Sequence, residues 1–130
     1  MAFTIGTVDK AKQAEGVWEE FEGSEFLIAY AQNPTFLREK DKLERPFKRQ
    51  IQQGKLSPEE SKRIMCKALA HGVLLDWKGV TDGTKEIPYD AEIAAQELQD
   101  NPELLEFVVN VAADVANYKR EEVERKARKS

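Results

Sequence analysis

Cys66, His71 and the carboxylates Asp76, Asp82, Glu86 and Asp90 are the side chains whose types could do chemistry. A Cys66 thiolate acting as nucleophile would need His71 as its base, and the two would have to face each other. They stand five residues apart in a stretch that reads as helix, whereas residues three or four apart share a helix face. Cys66, beside Met65, therefore reads as buried packing, and His71 as a hydrogen-bonded or partly exposed helical residue. The four acids follow one another at gaps of six, four and four residues. A calcium loop places its oxygen ligands at closer, alternating positions and ends in a bidentate Glu, so this cluster does not make one. A single Cys and a single His exclude zinc sites built on several of either. Neither a Walker phosphate loop nor a dinucleotide fingerprint is present. The expectation is a protein with no catalytic, cofactor-binding or metal-ligating residues and no cofactor, hence not an enzyme.

The remaining polar chemistry is charge. Arg38, Lys40, Lys42, Arg45, Lys48 and Arg49 could meet phosphates, but Glu39, Asp41 and Glu44 interleave with them. A solvated, salt-bridged helix face fits that mixture better than a nucleic-acid surface. The 130 residues carry 20 Lys+Arg against 24 Asp+Glu, a net charge of −4, with 41% hydrophobic residues. That balance argues against nucleic acid or an acidic membrane as partner. The charge is unevenly spread: net −4 over residues 1–37, +5 over 38–75, −8 over 76–114 and +3 over 115–130. These blocks either face each other or water within one fold, or form complementary patches for self-association or partner docking. With no apolar run long enough to span a bilayer and no basic-then-apolar leader, the chain is expected to be soluble in a reducing compartment.

The elements that would position these residues are marked by their starts. Asn33-Pro34, Ser57-Pro58 and Asn101-Pro102 each pair an N-cap with a Pro at the first helical position. Glu60 adds a capping box to the second, and Asp90 marks a further start. Helices are predicted from Pro34 to about Gln53, split by Pro46; from Pro58 to about Leu75; from Ala91 to Gln99; and from Pro102 to about Arg125. Before them, Trp18 and Phe21, a Glu22-Gly23-Ser24 break and then Phe26–Tyr30 read as a β-hairpin whose second arm is apolar on both faces. Trp77, Val80, Ile87 and Tyr89 anchor an ordered loop between the second and third helices. The predicted fold is α+β, mainly α-helical, with four or five helices and a small N-terminal antiparallel β-hairpin. It is one domain over 1–130, with 1–15 a loose arm or short strand and 119–130 a charged, frayed helical tail.

The ordered set Asn33-Pro34 with Phe36, then Leu74, Trp77, Gly79, Val80 and Asp82, then Ile87-Pro88-Tyr89, then Asn101 to Leu104, resembles the tail assembly chaperones of long-tailed, siphovirus-like bacteriophages. The likeness covers roughly residues 17–118. It implies a small helical late protein of a phage or prophage that binds the tape measure protein, keeps it soluble and promotes polymerisation of the tail tube around it. It also implies work in the cytoplasm of the bacterial host and absence from the mature virion. The partners implied are the tape measure protein and the tail tube protein; association with further copies of the chain is expected instead from the charge blocks of alternating sign. Many such proteins have a frameshifted longer form, and the family has no catalytic residues to carry over. Two other readings stay open: a structural virion component such as a tail-completion or connector protein, and a bacterial protein-binding adaptor.

A chaperone for one client needs accessible apolar surface on a charged, soluble body. The candidate interaction residues are Phe26, Ile28 and Tyr30 of the second hairpin arm, Phe36, Phe47 and Ile51 of the first helix, and Trp77 with Tyr89 of the loop. Each also has a competing reading as a core side chain.

Overall fold

A computed structural model describes residues 2–3, 5–6 and 9–119. Asp9 opens the first helix, α1 (Lys10–Glu15), by accepting from the backbone N–H groups of Ala11 and Lys12, and Gly16 closes it at φ +86°. A β-carbon at Gly16 would stand 3.0 Å from the backbone carbonyl of Ile28, so close approach and left-handed φ both require Gly. Strands β1 (Val17–Phe21) and β2 (Ser24–Ile28) pair antiparallel around Glu22-Gly23. Both turn residues have positive φ, 51° and 84°, the geometry that matches a two-residue connection to the strand twist.

The predicted helix starts form as caps. Asn33 opens α2 (Pro34–Glu44), Ser57 opens α4 (Pro58–Gly72), Asp90 opens α5 (Ala91–Asp100) and Asn101 opens α6 (Pro102–Ala113). The capping box at Ser57 is half made. Glu60 gives its backbone N–H to Ser57 Oγ at 3.2 Å, but its carboxylate turns to the Arg63 guanidinium instead of reaching back. Pro46 splits the segment after Asn33 as its chemistry demands: α2 passes into a 3-10 turn over Arg45–Phe47 and then α3 (Lys48–Gln52). Gly54, at φ +67°, follows.

The predicted fold class needs correction in its sheet and in its helices. The hairpin does not stand alone, because Leu74–Lys78 forms a third strand, β3, antiparallel to β2, giving the order β1-β2-β3. These residues read as the end of a helix and the start of a loop. The helix stops at Gly72, and the chain turns extended to pair Phe26 with Trp77 and Glu25 with Lys78. The cause is non-local: β2 is flanked by packed apolar residues, and its free backbone groups need partners there. A register shift between Leu27 and Ile28 brings Leu74 opposite Ile28, with both side chains buried.

Helical segments also differ. Six α-helical segments occur among the described residues, against the four or five predicted. Residues 10–15 are helix, not loose arm or strand, and are tied down: Asp9 N–H donates to Tyr118 O at 2.8 Å, and Lys12 Nζ to Lys119 O at 3.0 Å. The helix expected to run to Arg125 ends at Ala113. Asp114 accepts from the Ala116 N–H and starts a separate 3-10 turn, Val115–Tyr118, the local competition that short polar side chains offer a helix. The turn buries Tyr118 and lets its hydroxyl donate to Ile28 O at 3.0 Å. The tail expected at 119–130 lies, beyond Lys119, outside the described residues.

The core forms where the inner sheet face meets α4, α5 and α6. Phe21 stacks on Phe107 at 4.7 Å, and Phe26 stands edge-on to Phe107 at 6.0 Å and to Trp77 at 6.4 Å. Gly72 lets α2 and α4 touch, since a β-carbon there would lie 2.5 Å from Phe36 Cα. Asn33, 2% exposed, is the buried polar side chain at this crossing. Its amide donates to Tyr30 O at 2.5 Å and Gly72 O at 2.9 Å, while its Oδ1 accepts from Phe36 N–H at 3.0 Å.

Candidate interaction surface

The eight candidate interaction residues separate by burial. Phe26, Ile28, Phe36 and Trp77 are core side chains and present almost no surface. Tyr30, Phe47 and Tyr89 are half-buried. Ile51, at 38%, is exposed. The set is therefore not one surface patch: the hairpin arm and Trp77 with Tyr89 line the interior, and Phe47 and Ile51 lie on the segment after α2.

Trp77 and Tyr89 hold the loop between β3 and α5. Trp77 Nε1 donates to Ile87 O at 2.8 Å, and the two rings meet edge-on at 5.2 Å. The Tyr89 hydroxyl sits between Ala70 O at 2.5 Å and Leu74 O at 2.7 Å, its single proton shared between them. Burial first, then the nearby carboxylates of Asp76 and Asp90, push the Tyr89 phenol up from 10.0 to about 12. The folded protein thus holds a proton that the unfolded chain releases from about pH 10. This part of the stability is complete below pH 10 and is lost as pH rises toward 12. Alkaline titration followed by phenolate absorbance and circular dichroism should show late ionisation coupled to loss of structure, and Tyr89→Phe should weaken that coupling.

The residues weighed for chemistry are placed apart. Cys66 is fully buried, and burial raises its thiol pKa, the opposite of what a nucleophile needs. His71 lies 3.8 Å from Glu92 on α5 and is exposed, whereas Cys66 is buried. Asp82 spends its carboxylate inside its own turn, accepting from Thr84 N–H, the Thr84 hydroxyl and Lys85 N–H. Those donors hold its pKa down at about 2. Among the described residues no group of three or more His, Cys, Asp or Glu side chains is arranged to hold a metal ion.

What the surface does offer is apolar side chains on separate helices: Leu37 on α2 (47% exposed), Ile51 on α3, Ile93 on α5 (43%) and Val109 on α6 (41%). Leu37, Ile93 and Val109 fall on apolar stripes of their helices, and the sequence does not separate the buried centre of a stripe from its exposed margin. The signal was stripe width, since an apolar arc wider than one packing face leaves its edges outside. On the outer sheet face Trp18 is also exposed, with Lys78 Nζ 4.1 Å from its ring centre. No helix among the described residues is long and apolar enough to cross a membrane.

Residues 31–129, from just before the Asn33 cap through α6 and beyond, match the family model described as YdaY prophage protein. The chain belongs to the YdaY prophage protein family. The matched range holds the Asn33–Gly72 crossing, β3, the loop pinned by Trp77 and Tyr89, and both charged helical regions; β1 and β2 precede it. The chain is therefore of phage or prophage origin. No curated protein and no solved structure matches it significantly.

Proposed function

We propose that the chain is a tail assembly chaperone that binds the tape measure protein of its phage, keeps it soluble and promotes growth of the tail tube around it. The observation that carries this reading is the ordered motif set from Asn33-Pro34 through Trp77, Ile87-Pro88-Tyr89 and Asn101-Pro102, which resembles that class of proteins. Membership of a prophage protein family is consistent with it. So are the isolated exposed apolar residues, which could engage a helical client while the surrounding charge keeps the chain soluble. On this reading the protein works by binding alone, without catalysis or cofactor, in the host cytoplasm and outside the finished particle.

Co-expression with the tape measure protein of the same prophage tests it. The client should become soluble and co-purify with the chain, and deletion of the chain's gene should stop tail assembly. Failure to bind, with normal tails after deletion, rejects the reading. Fixed copies in purified tails would instead identify a structural component.

A further inference from the structure

Two helical regions of this chain carry net charge of opposite sign. Residues 86–118 hold eight carboxylates and no Lys or Arg. Glu92 and Glu97 on α5 and Glu103 and Glu106 on α6 are exposed, with Ile93 and Val109 exposed on the same helices. Residues 38–55 hold seven cations against three carboxylates. Two of those carboxylates are engaged locally, Asp41 with Arg45 at 3.0 Å and Glu44 with Lys40 at 3.1 Å. Arg38, Lys42, Lys48 and Arg49 remain exposed and make no ion pair among the described residues, and Leu37 and Ile51 are exposed beside them.

The two regions cannot neutralise each other within one copy as it is folded. Both α2 and α5 pack on α4, without substantial packing between α2 or α3 and α5 or α6. No ion pair among the described residues joins the two regions. One is net basic and the other acidic, and each carries exposed aliphatic side chains, so the two suit each other in sign and in apolar contact.

We propose that the chain associates head-to-tail with further copies of itself, the basic surface of α2 and α3 in one copy docking on the acidic surface of α5 and α6 in the next. Such a contact joins two different surfaces, so every added copy leaves one basic and one acidic surface open. The assembly closes as a ring or extends as a filament. This inference does not rest on the tape measure reading, and its test uses the chain alone.

The test is light scattering and sedimentation on the full chain across protein concentration and salt. At about 0.05 M salt the average mass should rise with concentration to at least about twice the monomer. At about 1 M it should fall toward the monomer, because screening then acts within about 3 Å. Lys48→Glu with Arg49→Glu, and separately Glu103→Lys with Glu106→Lys, should each give folded monomers by circular dichroism, since all four side chains are exposed. Mixing the two variants should restore assembly, because each then offers the charge the other needs. A monomer at every concentration and ionic strength overturns the proposal. So does assembly that salt strengthens, or two monomeric variants that fail to assemble when mixed.

Discussion

Asn33→Asp is expected to destabilise the fold at least as much as Asn33→Ala, although Asp caps a helix as well as Asn does. The cap is only one of three bonds made by this side chain. Its amide also donates to the carbonyls of Tyr30 and Gly72, and so joins the end of β2, the start of α2 and the end of α4. Asn33→Ala removes the cap, worth about 1 kcal/mol, and leaves two carbonyls without their donor where almost no water reaches. A total near 3 kcal/mol follows, which for a chain of this size lowers Tm by about 10 °C. Asn33→Asp keeps the cap but turns an acceptor toward two acceptors. Its carboxyl should therefore take up a proton more readily in the folded state, with a raised pKa. The deficit should be small below the ordinary carboxylate pKa near 4 and should grow as pH rises through the raised value. Thermal melts of both variants across pH measure this. An Asn33→Asp variant as stable as the parent at neutral pH would reduce the residue to a helix cap.

That crossing shows which parts of the fold were legible. The Asn-Pro, Ser-Pro and Asp starts read correctly because a cap is a contract between residues two or three positions apart. The split at Pro46 is equally local. Gly72 could be suspected of a close approach, but nothing nearby in the chain names Phe36 as the neighbour. The third strand was illegible for the same reason: Leu74-Leu75 continues the apolar stripe of α4, and its strand character comes from β2, far away in sequence. The end of α6 misled differently. Val111, Val115 and Tyr118 keep a helical spacing past Ala113, but Asp114 caps a new turn and Tyr118 is drawn inward to the Ile28 carbonyl. The candidate surface was least legible, because an apolar side chain reads alike at the centre of a packed face and at its margin. Phe36 and Leu37 are adjacent in sequence, yet one lies against Gly72 and the other faces water.

The same distinction sets the second large effect. Trp77→Ala is expected to cost about 4 kcal/mol, the range for emptying a buried aromatic site. The indole is 5% exposed, stands edge-on to Phe26 and Tyr89, and donates to Ile87 O. Its loss leaves a cavity between β3 and the loop and releases the Ile87 carbonyl. Stabilities of small domains run to about 5–15 kcal/mol, so much of the folded margin would go. Trp77→Phe keeps an aromatic ring but removes the N–H and part of the volume, and about 2 kcal/mol is expected. Leu37→Glu and Ile51→Glu, at exposed positions, should change stability by no more than about 0.5 kcal/mol. Denaturant melts rank the four. The ranking then interprets any binding measurement. A partner lost by Leu37→Glu or Ile51→Glu with unchanged melting is lost from the surface, whereas a partner lost by Trp77→Ala is lost with the fold that presents that surface. If Trp77→Phe melted like the parent and still abolished binding, the indole would be a contact residue in its own right, and its place in the core would have to open for the partner to reach it.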